Sequence, residues 1–299
     1  MSLQKKIQIR PPKNDEKEEF YRVYNSGLPG VDELTPKRFD EWWNRSSESG
    51  EMEKLWRVAV VNNSIVGVVI NQVNVELNWG FVWELAILPE YRNQGVGTQL
   101  ILESEKLLQN HHPEIDDLAI GVKTDNIKAL QLYEKLGYGI RFLELHLKGQ
   151  RWASDIKHNL KIEPASEDRI AELMELSPDA YWGTKDIEGW KEIIKPEHRI
   201  FITEDNHLVG FVRLFVQEGK SPYSEIQFNI KPGFGTQVIE ACMEFIETSM
   251  IEFWVQDDHQ DILDLLYRKE FRRIESEFLL RKAVPKPTLI VGTKHLRAA

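Results

Sequence analysis

The chain has 299 residues, 41% of them hydrophobic and 29% charged, and a formal net charge of −10. That is the composition of a globular chain long enough for one large domain or two of ordinary size. The acidic balance argues against a nucleic-acid backbone as partner, the lack of a long apolar run against a membrane span or signal peptide, and the single cysteine, Cys242, against an internal disulfide or a cysteine metal cluster. A reducing, cytoplasmic setting is the expectation.

Taken in chain order, Gln4–Arg10 is expected as an edge strand stopped by Pro11-Pro12, followed by helices over Asp15–Ser26 and Pro36–Ser46. Leu55–Val61, Ile65–Val75 and Gly80–Leu88 are rich in β-branched residues and are expected as strands. From Gly97 onward Leu100, Ile101, Ser104, Leu107 and Leu108 keep helical spacing. A strand over Leu118–Val122, a helix over Ile127–Leu136 stopped by Gly137, and a strand over Tyr138–Leu147 complete the first half. The second half is expected to repeat this order. Its strands are Leu160–Ala165, Arg199–Thr203, Leu208–Gln217, Ser224–Ile230, Ile251–Val255 and Phe271–Arg281. Its helices start at Ser166 and cover Ile187–Ile194, Gly235–Thr248 and Ile262–Arg268.

The two halves share landmarks in the same order. Ile65-Val66-Gly67-Val68-Val69 matches Leu208-Val209-Gly210-Phe211-Val212, and Gly95-Val96-Gly97-Thr98-Gln99 matches Gly233-Phe234-Gly235-Thr236-Gln237. Leu132-Tyr133-Glu134-Lys135 matches Leu266-Tyr267-Arg268-Lys269. The second copy is shorter between its landmarks. Residues 90–94 separate Pro89 from Gly95, whereas Pro232 abuts Gly233. The expected organisation is a first domain over 1–150, a degenerate copy over 156–285 and a tail over 286–299, with the boundary in the polar stretch Lys148–Asp155.

The run Val82 to Thr98 is a buried strand, a short loop and a helix start, with Gly95 and Gly97 at the junction. Open backbone N–H groups at a helix N-terminus bind anions, and glycine lets a phosphate come close. A dinucleotide fingerprint fails because Leu100 stands where a third glycine is needed, and a P-loop fails because Thr98-Gln99 follows Gly97. Nothing in the His, Asp and Glu spacing suggests a metal.

Arg92-Asn93-Gln94-Gly95-Val96-Gly97, with the strand before it, resembles the acetyl-CoA loop of the GNAT N-acetyltransferase superfamily. Asn126 to Tyr138 is similar to the second signature helix of the same superfamily. The resemblance implies an α/β (α+β) fold of two tandem GNAT-like domains, each a mixed, mostly antiparallel sheet flanked by helices, the second one degenerate. It implies acetyl-CoA as cosubstrate and transfer of its acetyl group to a primary amine by direct attack.

The resemblance places the pyrophosphate on Arg92, Asn93, Gln94, Gly95, Val96, Gly97 and Thr98, with the pantetheine arm pairing to Leu85, Ala86 and Ile87. Asn126 would bond the same arm or cap its own helix. Lys123 and Lys128 are candidates for the 3′-phosphate. Tyr133 is the candidate proton donor to the leaving thiolate, because a phenol of pKa about 10 stays protonated at neutral pH. Glu84 is the candidate base. Some members of that superfamily carry a glutamate on the fifth strand, where this chain has Gly121. Trp42, Trp43, Trp79 and Trp83 are candidates to line the acceptor pocket. A small-molecule amine is favoured as acceptor, with a protein N-terminus or lysine as alternative. A non-catalytic CoA-ligand sensor is the rival from another class.

Overall fold

The computed structural model describes residues 6–28, 34–74, 78–154, 158–176, 187–217 and 222–285. Gln4 and Lys5 of the expected first strand, Val75 of the third, Asp155 of the expected boundary and the tail beyond Pro285 lie outside these residues. The first half runs β1 (Gln8–Arg10), α1 (Lys17–Gly27), α2 (Pro36–Glu48), α3 (Glu51–Leu55), β2 (Trp56–Val61), β3 (Ser64–Asn74) and β4 (Trp79–Ile87). It continues with α4 (Val96–His111), β5 (Asp117–Lys123), α5 (Ile127–Lys135) and β6 (Gly139–Gln150). The second half runs β7 (Lys161–Pro164), α6 (Ile170–Leu176), α7 (Ile187–Ile193), β8 (Arg199–Ile202), β9 (Leu208–Gln217) and β10 (Tyr223–Ile230). It ends with α8 (Gly235–Cys242), β11 (Met250–Gln256), α9 (Gln260–Arg268) and β12 (Arg272–Ala283). The mixed α/β order and the repeat are those expected. Helix α3 was not anticipated.

By contact the chain divides into two compact units. Among the described residues, one holds those up to Val73, Asn78–Leu118 and those from Lys282, and the other holds Asn74 and Ala119–Arg281. In the first unit β1, β2 and β3 are antiparallel and β4 follows β3. Asn62 and Asn63 both take positive φ between paired Val61 and Ser64, which is the geometry of a two-residue hairpin turn. On α1 Phe20, Val23, Tyr24 and Gly27 are buried at helical spacing. They pack with Phe39 and Trp43 of α2 and with Trp56, Val58 and Val60 of β2. Gly67 faces Val96 and Leu100 of α4 on the other side of the sheet.

In the second unit the strand order is β5-β12-β6-β11-β10-β9-β8-β7. The last strands of the two repeats have exchanged places. Strand β6, which ends the first repeat, pairs antiparallel with β11 of the second. Strand β12, which ends the second repeat, lies between β5 and β6 of the first. Division by contact and division by repeat therefore fall at different places in the sequence. The core of this unit joins Leu145 and Leu147 of β6 to Val238, Ile239 and the fully buried Cys242 of α8 and to Ile262 and Leu266 of α9. Helix α8 is shorter than expected. After Cys242 the backbone tightens into Met243 N–H to Glu240 O, Glu244 N–H to Ala241 O and Phe245 N–H to Cys242 O bonds. The guanidinium of Arg151 takes the Met243 carbonyl at 2.8 Å.

Candidate functional site

In the first unit the site grows from β4. An ideal strand alternates its faces strictly. A Cβ at Gly80 would meet Leu108 of α4 and Ile115, yet Ala86, an even number of residues away, has its Cβ against Gly27 of α1. Strict alternation therefore does not hold along β4 between these positions. Gly27 has a structural reason to be glycine. A side chain there would run into Ile87 N and the Ala86 Cβ.

Beyond Leu88 the chain makes one 3₁₀ turn at Pro89–Tyr91 and an exposed turn over residues 92–95. Asn93 and Gly95 take φ of 60° and 82°. Gly95 is the N-cap of α4, no side chain caps that helix, and a Cβ at Gly95 would have nothing within 4 Å. The first-turn N–H groups of Val96, Gly97 and Thr98 have no intrahelical partner by geometry. Gln94 donates to Glu90 O at 2.6 Å. Arg92 does not extend from the loop. Its Nε donates to Ile87 O at 3.1 Å and its Nη2 to Gly27 O at 3.2 Å. The guanidinium thus ties the end of β4 to the end of α1 and fixes the loop between them.

Glu84 is half-buried on β4 and bonds Tyr24 of α1. Burial and this neighbouring carboxylate together push the Tyr24 hydroxyl well above its ordinary value, so the phenol stays a donor to Glu84. Tyr24 was missed in the sequence, where it is one apolar position among several on α1. The four candidate tryptophans separate. Trp43 and Trp79 are buried, and Trp43 is packed among Phe20, Phe39 and Trp56. Trp83 is 44% exposed and meets the partly buried Trp42 at 5.8 Å, which in turn meets Tyr24 at 6.0 Å. Trp83, Trp42 and Tyr24 form a run of ring contacts, and Tyr24 at its end interacts with Glu84.

In the second unit Asn126 caps α5, its Oδ1 accepting from Ala129 N–H at 3.2 Å. Gly137 (φ 91°) closes the helix, with Gly137 N–H bonding Glu134 O and Tyr138 N–H bonding Tyr133 O. Tyr133 is buried, and burial raises its hydroxyl above the ordinary phenol value. Lys123 donates to Glu275 at 2.7 Å, and Lys128 is exposed.

In the second repeat a carboxylate of the chain itself stands at the start of the equivalent helix. A Cβ at Gly235 would collide with the Asp261 carboxylate, whose Oδ2 accepts from Thr236 N–H at 3.3 Å. The chain has put its own anion on the N-terminus of α8. The tyrosine match between repeats does not survive in space. Helix α9 closes with Phe271 N–H to Leu266 O and Glu270 N–H to Tyr267 O, so Leu266, fully buried, holds the place that Tyr133 holds in α5. Tyr267 has slipped one residue and is 48% exposed.

Among the described residues no helix is long and apolar enough to cross a membrane, and no group of His, Cys, Asp and Glu is placed to hold a metal. Residues 16–138 match the model of the acetyltransferase (GNAT) family. An N-alpha-acetyltransferase of Saccharolobus solfataricus is 32% identical over 95 residues, 27% of this chain and 54% of that protein. One of Sulfurisphaera tokodaii is 26% identical over 139 residues, 40% of this chain and 80% of that protein. The chain thus spans about half the length of the first of these relatives. Among solved structures, a GCN5-related N-acetyltransferase from Sphaerobacter thermophilus superposes with a TM-score of 0.67 at 15% identity, over 94% of this chain and 96% of that one. A tandem GNAT protein from the clavulanic acid biosynthesis pathway superposes with a TM-score of 0.61 at 11% identity, over 94% of this chain and all of that one. These two likenesses are likenesses of fold.

Proposed function

We propose that this chain, whose residues 16–138 match the model of the acetyltransferase (GNAT) family, is an enzyme that transfers an acetyl group from acetyl-CoA to a primary amine. The observation that carries this is the uncapped N-terminus of α4 behind Gly95, an anion site with room for a phosphate, directly after a strand that holds a tyrosine-bonded carboxylate. Bound acetyl-CoA supplies the activated acetyl group. Backbone N–H groups of residues 93–98 hold its pyrophosphate, and Arg92 acts by fixing the loop. The backbone of Leu85, Ala86 and Ile87 pairs with the pantetheine arm. Asn126 keeps its capping role and orders the start of α5.

Glu84 draws the ammonium of the acceptor and is the first candidate for its proton, with Tyr24 orienting the carboxylate. Tyr133 gives its proton to the thiolate, and the burial that raises its hydroxyl keeps that proton available at neutral pH. The repeats over 1–150 and 156–285 divide the work unequally. The first binds acetyl-CoA, and Asp261 closes the equivalent place in the second. The run of rings that ends at Glu84 supports a cationic small molecule as acceptor. The names of the two archaeal relatives support a second acceptor, the α-amine of a polypeptide.

The test is calorimetric binding of acetyl-CoA together with thiol release across small amines and peptide N-termini, for the wild type and Tyr133→Phe. Binding with release, and a loss of turnover in Y133F at unchanged affinity, is the expected result. Unchanged turnover removes Tyr133 from the mechanism. Binding without release on any acceptor favours a non-catalytic CoA-ligand sensor.

A further inference from the structure

Trp83 and Glu84 are neighbours on β4, and neighbours on an ideal strand point to opposite faces. Here both reach one pair of touching rings. Trp83 meets Trp42 of α2 at 5.8 Å, Glu84 bonds Tyr24 of α1, and Trp42 and Tyr24 meet at 6.0 Å. The four side chains therefore close a circuit. All of them lie in the first compact unit, together with the loop of residues 92–95 and the start of α4. Trp83 is the one exposed tryptophan among the described residues. Its neighbour Trp42 is anchored ring to ring, at 4.8 Å, on the fully buried Trp56.

The circuit offers one charge and one apolar face. A carboxylate has several acceptor positions, so the bond from Tyr24 still leaves Glu84 able to take the N–H groups of an ammonium. Two other acids of α1 and α2 are used elsewhere. Glu19 accepts from Ile65 N–H at 3.0 Å, and Asp40 pairs with Lys17 at 2.8 Å. An exposed ring gains little from a second ammonium, which prefers its water, and more from an apolar group that covers it. A polypeptide brings backbone N–H and C=O groups that need partners, whereas these four side chains present rings and one carboxylate. The circuit thus fits an acceptor with a single positive charge on an apolar carbon frame.

We propose that Trp83 selects the acceptor, and that the acceptor is a small primary amine carried on an aromatic group, with its ammonium on Glu84 and its ring against the Trp83 indole. Trp42 holds that indole in place, and Tyr24 holds the carboxylate. This rests on the acetyltransferase reading and narrows its acceptor. The ammonium loses one proton to Glu84, and the free amine forms a C–N bond to the acetyl carbon. The thioester C–S bond breaks and leaves its electron pair on the CoA sulfur.

The experiment measures kcat and KM of the full chain for phenethylamine, ethylamine, diaminobutane and a peptide with an N-terminal phenylalanine, with Kd for acetyl-CoA alongside, in the wild type, Trp83→Ala and Trp83→Phe. The wild type is expected to prefer phenethylamine over ethylamine and diaminobutane about tenfold or more in kcat/KM. W83A is expected to erase that preference through KM, and W83F to restore most of it, which a residue acting only through the fold would not do. A preference kept in W83A, a preference for diaminobutane, or acetylation of the peptide ahead of phenethylamine overturns the proposal and leaves the acetyltransferase standing. Failure of the wild type to release thiol from bound acetyl-CoA with every acceptor sinks both.

Discussion

Gly95 and Gly233 stand at equivalent points of the two repeats and offer a matched pair of perturbations. Their φ angles are 82° and 87°, and a Cβ at either has nothing within 4 Å. Alanine at either position therefore meets no clash and bears only the left-handed backbone, about 1–2 kcal/mol. The two variants should lose stability equally in urea titrations. Their binding should part company. In the first repeat the new methyl stands at an open, uncapped helix start, where it keeps a phosphate from the N–H groups of residues 96–98. Losing one charge-assisted bond of about 1.5–3 kcal/mol weakens binding about ten- to a hundredfold. In the second repeat Asp261 already fills the equivalent place. Calorimetric titration with acetyl-CoA should thus show a large loss for G95A and none for G233A. Equal losses, or equal indifference, would refute the assignment of the anion site to α4.

Glu144→Gln should stabilise the fold in a pH-dependent way. The folded value of Glu144 is raised to about 8 from an ordinary 4.5, so the native chain keeps a proton that the unfolded chain loses first. Stability present below pH 4.5 is lost as pH rises toward 8. At pH 7 the gap is at most about 3 kcal/mol at about 1.4 kcal/mol per unit, and E144Q should recover part of it at pH 7 and none at pH 4. Denaturant midpoints at both values check this, and a gain that does not vary with pH would contradict it. Asp261→Ala removes the anionic cap of α8 and should cost about 1 kcal/mol, read as a lower urea midpoint. Binding of acetyl-CoA should not increase, because residues 90–94 have no counterpart before Gly233.

Much of the site is local and so was legible in the sequence. The strand, loop and helix of residues 82–98, the cap by Asn126 and the stop at Gly137 each follow from neighbouring residues. Side-chain destinations did not follow. Arg92 looks like a phosphate ligand in a linear motif, but two carbonyls from different elements, Ile87 and Gly27, converge on it. Tyr267 looks like the partner of Tyr133 until the closing hydrogen bonds of α9 show a register one residue off. Of the four candidate tryptophans, Trp42 and Trp83 meet each other, while Trp43 is packed into the core. The short period of helices and strands fixes which face a residue takes, and says nothing of what the facing element brings.

The sequence by itself determined the repeat, the class of fold and the strand, glycine loop and helix of residues 82–98, because those depend on patterns within a few turns of chain. Only the tertiary structure decided that the last strands of the repeats change places, that the second glycine loop is filled by Asp261, and that Glu277 reaches Gly121. Strand pairing is a contact between residues far apart in the chain. The hydrogen bonds of β6 are met equally well by either neighbouring strand, and packing of the whole core chooses between them.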